Sequence, residues 1–471
     1  MNSRVLAAAI MTALTLMLAT GLAWARNPHC AGGIQYLTQA LRDEQNHNTE
    51  DYQREIQKAV QQLEQCSTED PADFEAIGYL GWAYAKVDSM CTAGKAFKTA
   101  IDGLQSKGDK KKLEQVVNNR DSFWATAFNK GIANIDDAQK LYNPFTKAPT
   151  DDAERSAKDA AKRSYESAIS SLNSALCMKP GDPRSLRNLG AVYAFMGDYL
   201  RAENFFKQGL VAAPDDSALK EGKKSARIQR AAQLIDEKKY DEAMAYYREL
   251  IATDAKNADL YGGLGDAGFA KAQKADSASK KAAFCTAAEA YAKAAELKPG
   301  ALELPFNAAI CYQNCGNLAA AEAQWRAAWA VKHDEPDVIR NLASVLAEEK
   351  KFPEAIKVGM QAVVLDCKDK AGHRQLGAIY TKAQDNPRSK QSLLAYLALD
   401  RGKVIENPGE ASGADGKKLM AKLGKPDAIY AWEAEGQKYE TWFYCAKGQA
   451  YHFGGGAQQE ITDWSAALAA K

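Results

Sequence analysis

The chain has 471 residues, 46% of them apolar, and its 61 Lys+Arg against 60 Asp+Glu leave a formal net charge of +1. That balance provides no basic excess for a polyanion, so no nucleic-acid partner is expected. The length suits one long repeat array with a small extra domain.

Residues 1–25 read as an export signal. Arg4 precedes an apolar run from Val5 through Leu22, and Ala23-Trp24-Ala25 is a small-x-small cleavage site before Arg26. The expected product is periplasmic or secreted, formally neutral once Arg4 is lost, and has no transmembrane segment after cleavage. Residues 26–69 follow as two helices, Gly33 to Arg42 and Glu50 to Gln65, joined by the polar turn Asn46-His47-Asn48-Thr49. This hairpin is expected to cap the N-terminal end of an array. Cys30 precedes its first helix and Cys66 follows its second, so antiparallel packing brings the two together as a possible disulfide.

From residue 70 to 400 one pattern recurs. In the stretch from Pro183 to Pro214, Leu186, Leu189, Gly190 and Tyr193 mark one helical face. Gly197-Asp198 breaks that helix, Ala202, Phe206 and Gly209 mark a second, and Pro214 stops it. The same order recurs from Phe74, with Leu80-Gly81, Tyr84, Ala93, Phe97 and Ala100. It recurs again from Lys224, Ala258, Leu302, Pro336 and Lys370, at steps of 34, 44, 34 and 34 residues. The longer step carries a polar insert near 271–283. Another hairpin, Phe123 to Ile135 with Ala161 to Met178, is split by a linker-like stretch near 136–160.

This pattern resembles the tetratricopeptide (TPR) repeat of 34 residues. The resemblance implies an all-α fold: about eight hairpins stacked into a right-handed superhelical solenoid, followed here by a small C-terminal α+β domain. It also implies a groove lined by first helices, where repeat position 6 lies off the core stripe. Amides recur at that position as Asn129, Asn188, Gln229, Asn307, Asn341 and Gln375, with Gly263 as the gap. Each amide offers a donor and an acceptor, so the row suits the main chain of an extended peptide. Arg187, Arg340 and Arg374 at position 5 suit bidentate pairing with carboxylates.

TPR geometry also places Cys285 near the following first helix, which carries Cys311 and Cys315 at i and i+4. A disulfide from Cys285 to either, or small core residues at 311 and 315, are the alternatives. Catalysis is not expected. The five histidines show no metal-ligand spacing, and there is no P-loop or G-x-S-x-G. Gly454-Gly455-Gly456 lacks the Lys-Ser/Thr of a phosphate loop. No cofactor and no metal are expected.

Residues 401–416 have linker composition, and 417–471 lose the helical period. A short helix from Lys417 to Leu423, strands Ile429 to Trp432, Tyr439 to Cys445 and Ala450 to Phe453, and a covering helix Ile461 to Ala469 are expected. The pattern G-x-P…W…G…Y-x-x-W-x-Y…Y-x-F-x-x-G resembles the SmpA/OmlA type of small outer-membrane assembly module. The expected function is a non-catalytic protein-binding scaffold in the bacterial envelope. The alternative is an envelope-assembly or cell-wall accessory factor acting through its C-terminal domain.

Overall fold

The computed structural model describes residues 26–142 and 151–468. The chain divides into two compact units, Met1–Arg227 and Ile228–Lys471. In the first, helices pack as consecutive pairs: α1 (Pro28–Gln45) with α2 (Thr49–Glu69), α3 (Phe74–Lys86) with α4 (Met90–Lys107), α5 (Lys110–Leu141) with α6 (Asp152–Met178), and α7 (Pro183–Phe195) with α8 (Tyr199–Ala212). Helix α9 (Ser217–Asp236) contributes its residues up to Arg227 here and the rest to the second unit.

The second unit continues with α10 (Tyr240–Thr253) and the pairs α11 (Ala258–Lys274) with α12 (Ser277–Leu297), α13 (Glu303–Cys315) with α14 (Leu318–Val331), α15 (Pro336–Glu348) with α16 (Phe352–Leu365), and α17 (Lys370–Lys382) with α18 (Asn386–Arg401). Their facing sides are built as the repeat pattern requires. Trp325 is fully buried, meets Phe306 edge-to-face at 4.9 Å, and donates its indole N–H to Gln313 Oε1 at 2.8 Å. A buried indole N–H left unpaired costs free energy, so this partner matters as much as the apolar contact.

One turn geometry recurs between paired helices. Asp88, Gly197, Lys238, Gly316, Lys350 and Gln384 all have φ between 59° and 80°, and each stands two residues before a second helix. The next residue then donates its N–H to a carbonyl five residues back: Ser89 to Tyr84, Asp198 to Tyr193, Lys239 to Leu234, Asn317 to Tyr312, Lys351 to Leu346 and Asp385 to Tyr380, at 2.8–2.9 Å. This is the Schellman closure, which satisfies a carbonyl that the ending helix leaves free.

Two expected inserts are largely helix. Residues 136–141 complete α5 and 152–160 open α6, so the polar stretch lengthens both helices; residues 143–150 lie outside the described residues. Residues 271–283 likewise extend α11 to Lys274 and open α12 at Ser277. Polar residues on a long helix only need a solvated face, which is why composition alone suggested a loop.

The C-terminal residues form a five-stranded antiparallel sheet in the order β1 (Lys403–Ile405), β2 (Ala428–Ala434), β3 (Gln437–Tyr444), β4 (Gln449–Gly454) and β5 (Ala457–Asp463). Strand alternation sends Ile429, Trp442, Tyr451 and Phe453 to one face, against Leu419 of α19 (Gly413–Leu423). Phe443 and Ala450 face the other way, joining Val363, Leu376, Tyr380 and Ala395 of α16–α18 in one core.

Three expectations are corrected here. Residues 401–416 are no free linker: they hold β1 and the start of α19, and Glu440 accepts the N–H of Gly409 at 2.8 Å. Residues 461–463 end strand β5, and among the described residues beyond it only α20 (Ser465–Leu468) is helical. The second sheet face is therefore covered by the last helical hairpins, not by a terminal helix, and the sheet shares its core with α16–α18.

Candidate functional site

The first helices present their position-6 amides at the surface. Asn129 and Gln229 are exposed; Asn188, Asn307, Asn341 and Gln375 are partly exposed. The residues that follow the last four are core: Leu189, Ala308, Leu342 and Leu376 are 0–3% exposed. The helical period enforces the contrast, because one step of about 100° turns the side chain off the buried stripe. Asn129 and Asn188 belong to the first unit and the other four to the second.

These amides are not equally free. Asn188 donates to the carbonyl of Arg184 in its own helix at 2.8 Å, which leaves its oxygen available. Gln375 donates to the carbonyl oxygen of Arg340, so it also ties α17 to α15.

The arginines are largely engaged within the chain. Arg340 pairs with Asp337 in its own helix and with Asp369, the N-cap of α17. Arg187 stands 3.8 Å from Asp216, whose carboxylate accepts the N–H groups of Ala218 and Leu219 at the start of α9. Both link a position-5 arginine to the cap of the next first helix. The expectation of a free carboxylate clamp is corrected for Arg340, whose guanidinium is already paired on two sides; Arg374 is exposed and forms no ion pair among the described residues.

Gly263 interrupts the amide series for a steric reason. A Cβ there would lie 2.4 Å from the ring of Tyr247, which packs down from α10. Any side chain at this position would displace that buried tyrosine.

Cys30 and Cys66 form a disulfide, with Cα atoms 4.8 Å apart. Cys285 pairs with Cys315, Cα–Cα 5.2 Å, and Cys311 remains a buried thiol whose pKa is pushed up to about 12 by burial. Two further disulfides, Cys91–Cys177 and Cys367–Cys445, join residues 86 and 78 apart in sequence. Their partners lie on elements that no local pattern brings together, so sequence reasoning had no handle on them. Among the described residues one set of three groups has metal-ligand proximity, Cys30, Cys66 and Asp73, and its two sulfurs are bonded to each other.

Sequence reasoning also missed a buried polar chain at the C-terminal sheet. Thr462 Oγ1 donates to the carbonyl of Gln391 in α18 at 2.6 Å, so it accepts from His452 Nε2–H at 2.7 Å. His452 Nδ1 then accepts from the Thr441 hydroxyl at 3.0 Å, and Thr441 accepts from the Trp432 indole at 3.1 Å. Every member is satisfied only with His452 neutral and protonated on Nε2. Burial, with His373 nearby, pulls the His452 pKa down to about 3. Burial also lowers that of His373, which sits edge-on to Phe443 and Trp464. Such histidines look like any polar residue on an alternating strand or amphipathic helix.

Against this geometry, residues 160–225 match the family model of the tetratricopeptide repeat. That segment spans the end of the α5–α6 hairpin and the whole of α7–α8. The TPR-like hairpins are thus matched by sequence in one stretch and repeated in structure beyond it. No curated protein matches the chain. Similar solved structures include a MamA protein, 13% identical over 42% of this chain and 94% of that chain, TM-score 0.32. TTC0263, a thermophilic TPR protein of Thermus thermophilus, is 20% identical over 42% of this chain and 99% of that chain, TM-score 0.25. YrrB, described as a TPR protein with an unusual peptide-binding site, is 17% identical over 43% of this chain and 95% of that chain, TM-score 0.30. Scores this low carry no inference about the present chain. Among the described residues no helix is long and apolar enough to cross a membrane.

Proposed function

We propose that this chain is an exported, non-catalytic scaffold of the bacterial envelope that holds an extended peptide or a segment of a partner protein across its first helices. The supporting observation is the run of position-6 amides, exposed or half-exposed, of which Asn188, Asn307, Asn341 and Gln375 each precede a buried residue on the same helix. An amide can serve either a carbonyl or an N–H of a ligand main chain. Extended backbone offers both in alternation, so the row fits a peptide without demanding one sequence. Four disulfides among the described residues support an oxidising destination, as the export signal at residues 1–25 implies.

The test uses the full chain and an array of immobilised random decapeptides. Replacing Asn307 and Asn341 together by alanine should weaken binding about tenfold or more, the effect of losing one or two net hydrogen bonds. Undiminished binding would remove the amides from the interface.

A further inference from the structure

Helix α11 carries four glycines within seven residues: Gly262, Gly263, Gly265 and Gly268. Three are explained by packing. A Cβ would lie 2.4 Å from Tyr247 at 263, 2.7 Å from Tyr291 at 265, and 3.1 Å from Ala287 at 268. Gly262 is different, because the nearest atom to a Cβ there is Leu304 Cδ2 at 3.9 Å, an ordinary contact. Its φ is not positive, so no left-handed turn calls for glycine either. Glycine inside a helix costs about 1 kcal/mol relative to alanine. This cost has no compensation in the fold, and glycine's remaining use is to let another backbone come close.

A second observation lies one turn further on. Asp266, at i+4 from Gly262 and so on the same helical face, is exposed. Its Oδ1 accepts the Tyr291 hydroxyl at 2.6 Å, which fixes the carboxylate while leaving its other oxygen open. Burial and this carboxylate raise the Tyr291 pKa, so the hydroxyl stays a donor. Asp266 forms no ion pair among the described residues, whereas Asp259, two turns earlier on the same face, is paired with Lys298 at 3.2 Å.

We propose that Gly262 and Asp266 form the specificity point of the groove: the main chain of the partner peptide crosses α11 at Gly262 and places a lysine or arginine side chain on the Asp266 carboxylate. This rests on the peptide-binding reading above and adds to it the chemistry of one partner residue. A cation answers the one fixed, unpaired carboxylate on this face, and the missing methyl gives the backbone room to reach it.

The probe is the same array of immobilised random decapeptides, read with the full chain. Wild type should favour peptides containing Lys or Arg. Asp266→Asn keeps an acceptor for Tyr291 but removes the charge, and should abolish that preference. Gly262→Ala should weaken binding about tenfold while leaving Tm unchanged or raised, because the new methyl meets only Leu304. Absence of basic preference in wild type, or its persistence in Asp266→Asn, would overturn the proposal. A marked fall in Tm for Gly262→Ala would overturn it too, since that glycine would then be structural. The Asn307/Asn341 double variant separates the two readings. If it binds normally while Asp266→Asn loses the basic preference, the amide row fails and the α11 contact stands.

Discussion

His452 of strand β4 donates through Nε2 to the hydroxyl of Thr462, and Thr462 in turn donates to the carbonyl of Gln391 in α18. The second of these bonds carries the C-terminal sheet onto the last helical hairpin, and the uncharged imidazole is required by the third member of the chain, the Thr441 hydroxyl that donates to His452 Nδ1. Glu460 adds to this attachment by accepting from Lys390 and Gln391, and Cys367–Cys445 links it covalently.

Acid should loosen this attachment. An unfolded histidine titrates near 6.5, whereas folded His452 is held down to about 3. The unfolded state therefore binds the proton first as pH falls. Stability is complete above about 6.5 and declines below it, by up to about 1.4 kcal/mol per pH unit for each such histidine. His373, shifted in the same direction, adds to the slope. In thermal melts between pH 7 and 5, Tm of wild type should fall more steeply than that of His452→Asn, whatever their difference at pH 7. Parallel curves would contradict a neutral, buried imidazole.

Three glycines should respond differently to alanine. At Gly94 a Cβ would sit 1.9 Å from the backbone oxygen of Cys177, so α4 and α6 would have to part. A loss of about 1–3 kcal/mol is expected. Gly197 has φ of 79° with nothing within 4 Å of a Cβ, so alanine there brings backbone strain alone, about 1 kcal/mol. Gly262→Ala should be neutral or stabilising. Calorimetric Tm values ranking Gly94→Ala lowest, then Gly197→Ala, then Gly262→Ala would fit; a stabilised Gly94→Ala would contradict the close helix approach.

Peptide mapping without reduction should recover Cys30–Cys66, Cys91–Cys177, Cys285–Cys315 and Cys367–Cys445, and a single free thiol at Cys311. Buried, with its pKa raised to about 12 by its surroundings, that thiol should resist maleimide until denaturant is added. Recovery of a Cys285–Cys311 peptide would contradict the arrangement of α12 and α13. Reduction should lower stability substantially, each bridge contributing about 2–4 kcal/mol.

Residues 406–412 should resist limited proteolysis in the native chain. Glu440 is buried and accepts both the Gly409 N–H and the Trp442 indole, and Gly456 donates to the carbonyl of Ala411 at 3.1 Å. Glu440→Ala removes one of these ties and should open the loop to cleavage. Equal cleavage of wild type and variant would mean that the carboxylate does not hold it.

The hairpins were legible because their signal is periodic. Leu189, Tyr193 and Phe206 recur in type and spacing, and burial follows that spacing. Among the six left-handed turns, the break at Gly197-Asp198 was legible. Asp88, Lys238, Lys350 and Gln384 adopt the same left-handed geometry without glycine, held there by the packed helices on either side. The linker expectation at 401–416 failed for a related reason: Gly, Asn and Pro there suit a loop, but long-range partners such as Glu440 fix it in place. The amides at the candidate site could be found because they share a repeat position. The ion pair of Arg340 with Asp369 joins residues in consecutive repeats, a relation visible only once the helices are stacked.

On the proposed function, first helices, not the C-terminal sheet, carry the partner. Hydrogen–deuterium exchange on the full chain, with and without the strongest-binding decapeptide from the array, reports this directly. Slowed exchange should map to residues 303–315, 336–348 and 370–382, the helices that bear Asn307, Asn341 and Gln375. Slowing confined to residues 428–463 would place binding on the sheet and contradict the account.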